Sequence, residues 1–317
     1  RGEARPMTAT AATATFPRDA IAAPDARRGL ILGAIGVAIF SLTPPMTRLA
    51  TGSAADPQLP GAFVAFGRAV VAGILSIAYL IATRGRLPSR ADRASLAFVA
   101  GGVVIGFPLG MSVAMRYVES VHGSAMLGAL PLGTAVIGAL VDRQRQPTAF
   151  WAVAVLGSAL VMALPFVKAG ASLTSVNAAD GLLVAAAVCA STGYVHGARL
   201  ARTMSAEQVI CWACAVSLPI TVPLALLTWP DGPASLTAWL GFAWVSVGGM
   251  WVGFFFWYRG LALGGTVRVG QVQLAQPILG MLFSVPLLGE TLDLVTATFG
   301  LAIVGTVFAS RRLATRG

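Results

Sequence analysis

Runs of about twenty predominantly apolar residues follow one another along most of this 317-residue chain, often with only a few polar residues between them. A helix that rises 1.5 Å per residue needs roughly 20 such residues to cross the ~30 Å hydrocarbon core of a bilayer. Ten spans are predicted, at approximately 29–48, 60–82, 94–115, 121–141, 148–167, 179–198, 207–228, 236–259, 266–288 and 292–310. Composition agrees, with 56% hydrophobic and 11% charged residues and a mean hydropathy of +0.79. The expected fold class is an all-α membrane protein, because a helix satisfies its own backbone hydrogen bonds where no water can.

The net charge of +10 raises the question of a nucleic-acid partner, and the placement of the 22 basic residues argues against one. Eighteen of them fall in the two tails and in alternate connections: Arg84, Arg86, Arg90 and Arg93; Arg143 and Arg145; Arg199 and Arg202; Arg259 and Arg268. The other set of connections holds only Arg48, Arg116 and Lys168, and Arg68 lies inside a span. By the positive-inside rule both termini are expected in the cytoplasm, and the charge encodes topology. No basic helix or aromatic platform accompanies it, so no nucleic acid is expected as a partner. Residues 1–28 lack the apolar core of a cleavable signal peptide and read as a mobile cytoplasmic tail. Twenty-one arginines against one lysine point to a GC-rich bacterial genome and hence to the inner membrane. The pair Cys211 and Cys214 lies within an apolar span and reads as buried structural thiols, with no metal or cofactor implied.

The two halves match at an offset of 143 residues. Gly106, Gly110, Arg116 and Gly157 fall on Gly249, Gly253, Arg259 and Gly300, and "GFPLGMSVAMR" and "GMWVGFFFWYR" each close a span. Five spans per half is an odd number, so the second half enters the membrane upside down, as in many secondary transporters. The expected organisation is a tail (1–28), a first five-helix repeat (29–167), an extracytoplasmic linker (168–178), an inverted second repeat (179–310) and a short cytoplasmic tail (311–317). Gly102, Gly106 and Gly110 form a ridge along the third span that lets a neighbouring helix approach closely.

The last hairpin, "AQPILGMLFSVPLLGETLDLVTATFGLAIVGTVFASRR", together with the arginine-bearing "AFGRAVVAG", "FSLTPPMTRLA" and "ASTGYVHGARL", resembles the ten-helix EamA-type branch of the drug/metabolite transporter superfamily. The likeness runs from residue 29 to 310. Phe40 and Ser191 stand where that family often has tryptophan. What the resemblance implies is a central cavity lined by spans one to four and six to nine, worked by alternating access. The nearest functional likeness is to the broad or aromatic amino-acid exporters. The expected function is export of small metabolites, amino acids first, by a monomer or dimer in contact with membrane lipid; drugs, nucleobases or other metabolites are the alternative cargo. A channel or a membrane-embedded enzyme is the alternative class, and no clustered carboxylates, histidines or activated serine support catalysis.

Candidate site residues follow from the polar and broken places in the apolar spans. Pro277 frees the carbonyl of Gln273 and Pro131 that of Leu127, which breaks the ninth and fourth spans near their middles; Pro44 and Pro108 interrupt the first and third. Paired interruptions in the two halves are the best sequence pointer to a transporter's binding site. Gln273, Gln276, Gly280 and Ser284 share one face of the ninth span, and Gln276 and Gln273 are candidates to bond the polar head of a substrate. Trp251 and Tyr194 are candidates to stack on it. Arg68 either snorkels to the interface or holds a carboxylate. His122 and His196 sit near opposite ends of the fourth and sixth spans as titratable candidates. The run Phe254–Tyr258 reads as an interfacial aromatic belt. All twelve acidic residues fall in tails, loops or helix ends, which disfavours a carboxylate-coupled pump.

Overall fold

The computed structural model describes residues 23–141, 147–168, 178–201, 203–264, 269 and 271–314. The first part of the N-terminal tail, the linker at 169–177, and Arg143, Arg145, Arg202, Arg268 and Arg316 lie outside the described residues. Among the described residues the architecture is helical throughout, with no strand element. Seven helices among the described residues are long and apolar enough to span a membrane: Arg27–Thr51, Gly61–Ala82, Arg93–Ala114, Ser120–Val141, Ala178–Leu200, Ala206–Leu227 and Leu236–Leu261. Val272–Leu288 and Leu294–Thr306 are apolar and shorter.

Many of these rods are internally irregular. Helices α1 (Ala23–Ser41) and α2 (Thr43–Thr51) meet at Leu42, and Pro44 and Pro45 open α2, where a missing N–H costs nothing. The uninterrupted α3 (Gly61–Ala82) follows. Next, α4 (Arg93–Val99) runs through a π-helical segment, Ala100–Gly106, into α5 (Phe107–Ala114), with Pro108 in its first turn. Then α6 (Ser120–Met126) passes through a 3₁₀ turn, Leu127–Ala129, into α7 (Leu130–Val141), whose second residue is Pro131. After α8 (Thr148–Lys168), α9 (Ala178–Leu200) and α10 (Ala206–Leu227), helix α11 (Leu236–Ala243) enters a second π-helical segment, Trp244–Val252, and continues as α12 (Gly253–Gly264). A 3₁₀ stretch, Gln271–Ala275, leads into α13 (Gln276–Leu288) with Pro277 near its start, and α14 (Leu294–Ala314) ends the described chain.

The irregularities fall in register. Shifted by 143 residues, Ala100–Gly106 overlaps the π segment Trp244–Val252, and Leu127–Ala129 overlaps the 3₁₀ stretch Gln271–Ala275. Packing is reciprocal as well: α1 lies on α12 while α9 lies on α5, and α3 lies on α10, α6 on α13 and α8 on α14.

The burial pattern is that of a protein solvated by lipid. On α3, Ile74, Ile77 and Ile81 face outward, whereas Arg68, Ala69, Ala72 and Ser76 face inward. Small residues let the inner faces close. A Cβ on Gly102 would sit 2.3 Å from the Cys189 carbonyl, and one on Gly260 2.6 Å from the Gly33 nitrogen. The aromatic run after the second π segment departs from the belt expected of it. Phe254, Trp257 and Tyr258 are 4–5% exposed and fill the core against α1, with Phe40 and Phe254 rings 4.9 Å apart. Three of the five residues lie on the inward face of the helix rather than at its rim, and an unbroken aromatic run does not distinguish the two. Cys211 and Cys214 are free thiols buried in the same core.

Candidate functional site

The irregular segments converge on one internal cavity. Thr43 and Pro44 enter it from the start of α2, Val103, Gly249 and Met250 from the two π segments, Leu127 from the first 3₁₀ break and Gln276 from the first turn of α13, just after the second. Arg68 from α3 and Tyr194 from α9 complete its polar lining, and Phe40, Phe107 and Phe254 its aromatic lining. π segments and broken turns are commonly retained where a helix must present backbone or side chains to a ligand. The cavity measures about 20 Å³, enough for a water molecule and too small for a metabolite. The described conformation is therefore closed around its centre.

Arg68 is 2% exposed, so it does not snorkel. Among the described residues its Nε and Nη1 have no hydrogen-bond partner, and neither has Oε1 of Gln276. Gly249 supplies the room beside them, since a Cβ there would lie 3.3 Å from Arg68 Nη2 and 3.2 Å from Thr43 Oγ1.

The remaining sequence candidates lie outside the cavity lining in this conformation. Gln273 is buried in the 3₁₀ stretch before α13. Trp251 packs on Tyr79 and Phe255, with centroids 6.3 and 4.7 Å away, and is not part of the cavity lining. His196 stacks on Phe98 at 4.2 Å and places Nδ1 3.2 Å from Ser95 Oγ. His122 Nε2 lies 2.8 Å from Asp180 Oδ1, a buried pair that joins α6 to α9. Asp180 is at a helix end, as the sequence indicated, yet it is only 7% exposed. Phe40, Thr43, Phe107 and Met250 were not singled out as ligand contacts; the one available signal was their closeness to Pro44, Pro108 and Gly249.

The end of the bundle remote from the start of α1 is closed by polar contacts. Gly289 ends α13 in the left-handed conformation (φ 67°), which a residue without Cβ adopts freely, and the turn directs Glu290 at the start of α6. Ser120 N donates to Glu290 Oε1 at 2.8 Å and Val121 N to Oε2 at 2.7 Å, satisfying two helix-terminal amides. Beside them, Ser284 Oγ donates to Ser120 Oγ at 2.8 Å, which ties α13 to α6. Arg116 Nη2 reaches the carbonyls of Leu59 and Thr51 at 2.9 and 3.2 Å, and Arg48 Nη1 donates to the Met115 carbonyl.

Burial raises the Glu290 carboxyl above its ordinary value near 4.5; the two amide bonds and Arg48 oppose the shift, and Glu119 adds to it. A carboxyl whose folded pKa is raised contributes stability below its unfolded value and loses it as pH rises through the folded one. Thermal unfolding of the purified protein should therefore show wild type losing stability relative to Glu290→Gln as pH rises from 4.5. Glu290→Leu, which strands two amides at a cost of about 1–3 kcal/mol each, should be less stable than either. Parallel pH profiles of wild type and Glu290→Gln would contradict the assignment.

Comparison with known proteins gives the same picture. A profile described as the EamA-like transporter family matches residues 177–311. The "Uncharacterized transporter YdeK" of Bacillus subtilis (strain 168) is 40% identical over 288 residues, covering 90% of this chain and 98% of that protein. A crystal structure 21% identical in sequence superposes with a TM-score of 0.61 over 91% of this chain and 98% of the other, a likeness of fold. With spanning helices, a closed central cavity and a full-length transporter relative all in agreement, the chain is a multi-pass membrane protein and belongs to the EamA-like transporter family.

Proposed function

We propose that the protein is a secondary transporter that exports small metabolites, amino acids first, across a bacterial inner membrane by alternating access. The observation that carries this is the convergence of paired irregular segments on one closed cavity. Two π segments and two 3₁₀ breaks at the same offset, with reciprocal helix packing, support two inverted five-helix repeats. Adding α8 and the two shorter apolar rods to the seven long ones makes ten spans in this reading. The arginine distribution supports cytoplasmic termini, and on that reading the face latched by Glu290 is the outer one.

The cavity's character fits an amphipathic solute. Phe40, Phe107 and Phe254 offer apolar surface, while Gln276, Thr43 and Tyr194 offer hydrogen bonds. Trp251, His122, His196 and Gln273 become supporting residues in this scheme: the His122–Asp180 pair holds α6 against α9, Trp251 packs against the core, His196 stacks on Phe98, and Gln273 is buried ahead of α13.

Counterflow in proteoliposomes tests the proposal. Vesicles preloaded with unlabelled amino acids should transiently accumulate labelled ones from outside, and Gln276→Ala should reduce the rate by about tenfold through loss of a buried hydrogen bond to the solute. Absence of accumulation with amino acids, drugs and nucleobases alike would overturn the transporter reading. Rapid unsaturable flux without counterflow would indicate a channel instead.

A further inference from the structure

Arg68 is not accounted for by structure alone. It stands seven residues into α3, about 10 Å below the end of the helix, and it is 2% exposed. A guanidinium held at that depth is costly unless an anion or a full set of acceptors compensates it. Nε and Nη1 have no acceptor among the described residues. The cavity lining holds no acidic residue, and the twelve acids of the chain include none within ten positions of Arg68 in sequence. Nor does it hold a second cation, so the site is built for one negative charge rather than the two of a phosphate ester.

On the reading of the central cavity as the transport site, we infer that Arg68 is the anchor for a carboxylate, and that the cargo is restricted to small monocarboxylates and zwitterions. The guanidinium carries two adjacent donors in a planar fork, the geometry that a carboxylate accepts in bidentate fashion. Gln276, from the break in front of α13, brings an unpartnered buried Oε1 to the same cavity and is suited to accept from an ammonium group on the same solute. Phe40 and Phe254 then meet the side chain. Gly249 keeps the approach to Arg68 open, and a larger residue there would press on the guanidinium. The arrangement excludes cationic amines and polyamines, because an approaching ammonium without a carboxylate meets an uncompensated positive charge.

The test pairs each amino acid with the amine that decarboxylation leaves: phenylalanine with phenethylamine, leucine with isopentylamine, valine with isobutylamine. Phenyl phosphate is added as a dianion. In wild-type proteoliposomes the acids should be taken up in counterflow, while the amines and phenyl phosphate should compete at least about tenfold more weakly. Arg68→Lys should retain part of the preference, and Arg68→Gln should lose both uptake and the preference. Thermal stabilisation by the acids should vanish in Arg68→Gln, which separates loss of binding from loss of fold. Equal transport of acids and amines, or a carboxylate preference that survives Arg68→Gln, would overturn the anchor while leaving the transporter intact. Tighter competition by phenyl phosphate would replace the carboxylate with a phosphate. If wild type moves none of these solutes but exchanges a neutral drug, the anchor falls alone; if nothing is exchanged, the transport reading falls first.

Discussion

Oxidation of the double variant Ser120→Cys/Ser284→Cys is expected to reduce counterflow to the background of empty vesicles, and reduction to restore it. The two hydroxyl oxygens are 2.8 Å apart at the junction of α6 and α13, close enough for sulfur atoms in their place to form a bond of ~2.05 Å with small adjustments. The same junction is held by Glu290 on the two amides that open α6. If the cargo leaves through this face, the junction must open in every cycle, and a covalent tie prevents it. Single-cysteine variants control for the native thiols, of which Cys211 and Cys214 are buried and Cys189 is partly exposed. Complete cross-linking with undiminished exchange would show that α6 and α13 stay together and that the moving contact lies elsewhere.

Substitution of Gly102 by leucine should leave little folded protein in the membrane. Its Cβ would lie 2.3 Å from the Cys189 carbonyl oxygen and 3.1 Å from the Gly193 nitrogen. Both obstacles are backbone, so neither can rotate away. The loss should lie at or beyond the upper end of the ~1–3 kcal/mol typical of overpacked cores. Gly101 is the internal control: nothing lies within 4 Å of a Cβ there, and it is exposed. Gly101→Leu should leave expression and thermal stability near wild type. Equal tolerance at both positions, read by fluorescence-detected size exclusion, would contradict the close approach of α9 to the first π segment.

Several features were legible in the residues because lipid imposes simple rules. Apolar runs of fixed length marked the seven long helices. The Gly102–Gly106–Gly110 ridge predicted close packing, and all three glycines face α9, against Cys189, Leu182 and Ala186. Pro277 and Pro131 indicated breaks in the two halves, and 3₁₀ segments precede both. Pro108 stands just past the first π segment, but the second left no comparable mark. One extra residue in a helical turn needs no proline, and it is stabilised by what packs across it rather than by local propensity. Inward and outward faces of an apolar helix are similarly hard to tell apart. Trp251 and Phe254 are aromatics three positions apart, yet only Phe254 lines the cavity.

The sequence by itself determined the solvent and much of the punctuation of this protein: a long apolar span lies in lipid, a proline within it removes a helical hydrogen bond, and glycines four apart admit a close neighbour. Which of the polar side chains share a cavity was decided only by the tertiary structure. Arg68, Gln276, Thr43 and Tyr194 come from four different helices in both halves of the chain, and no local rule couples them. Their meeting depends on how small residues let those helices approach, a property of both partners at once.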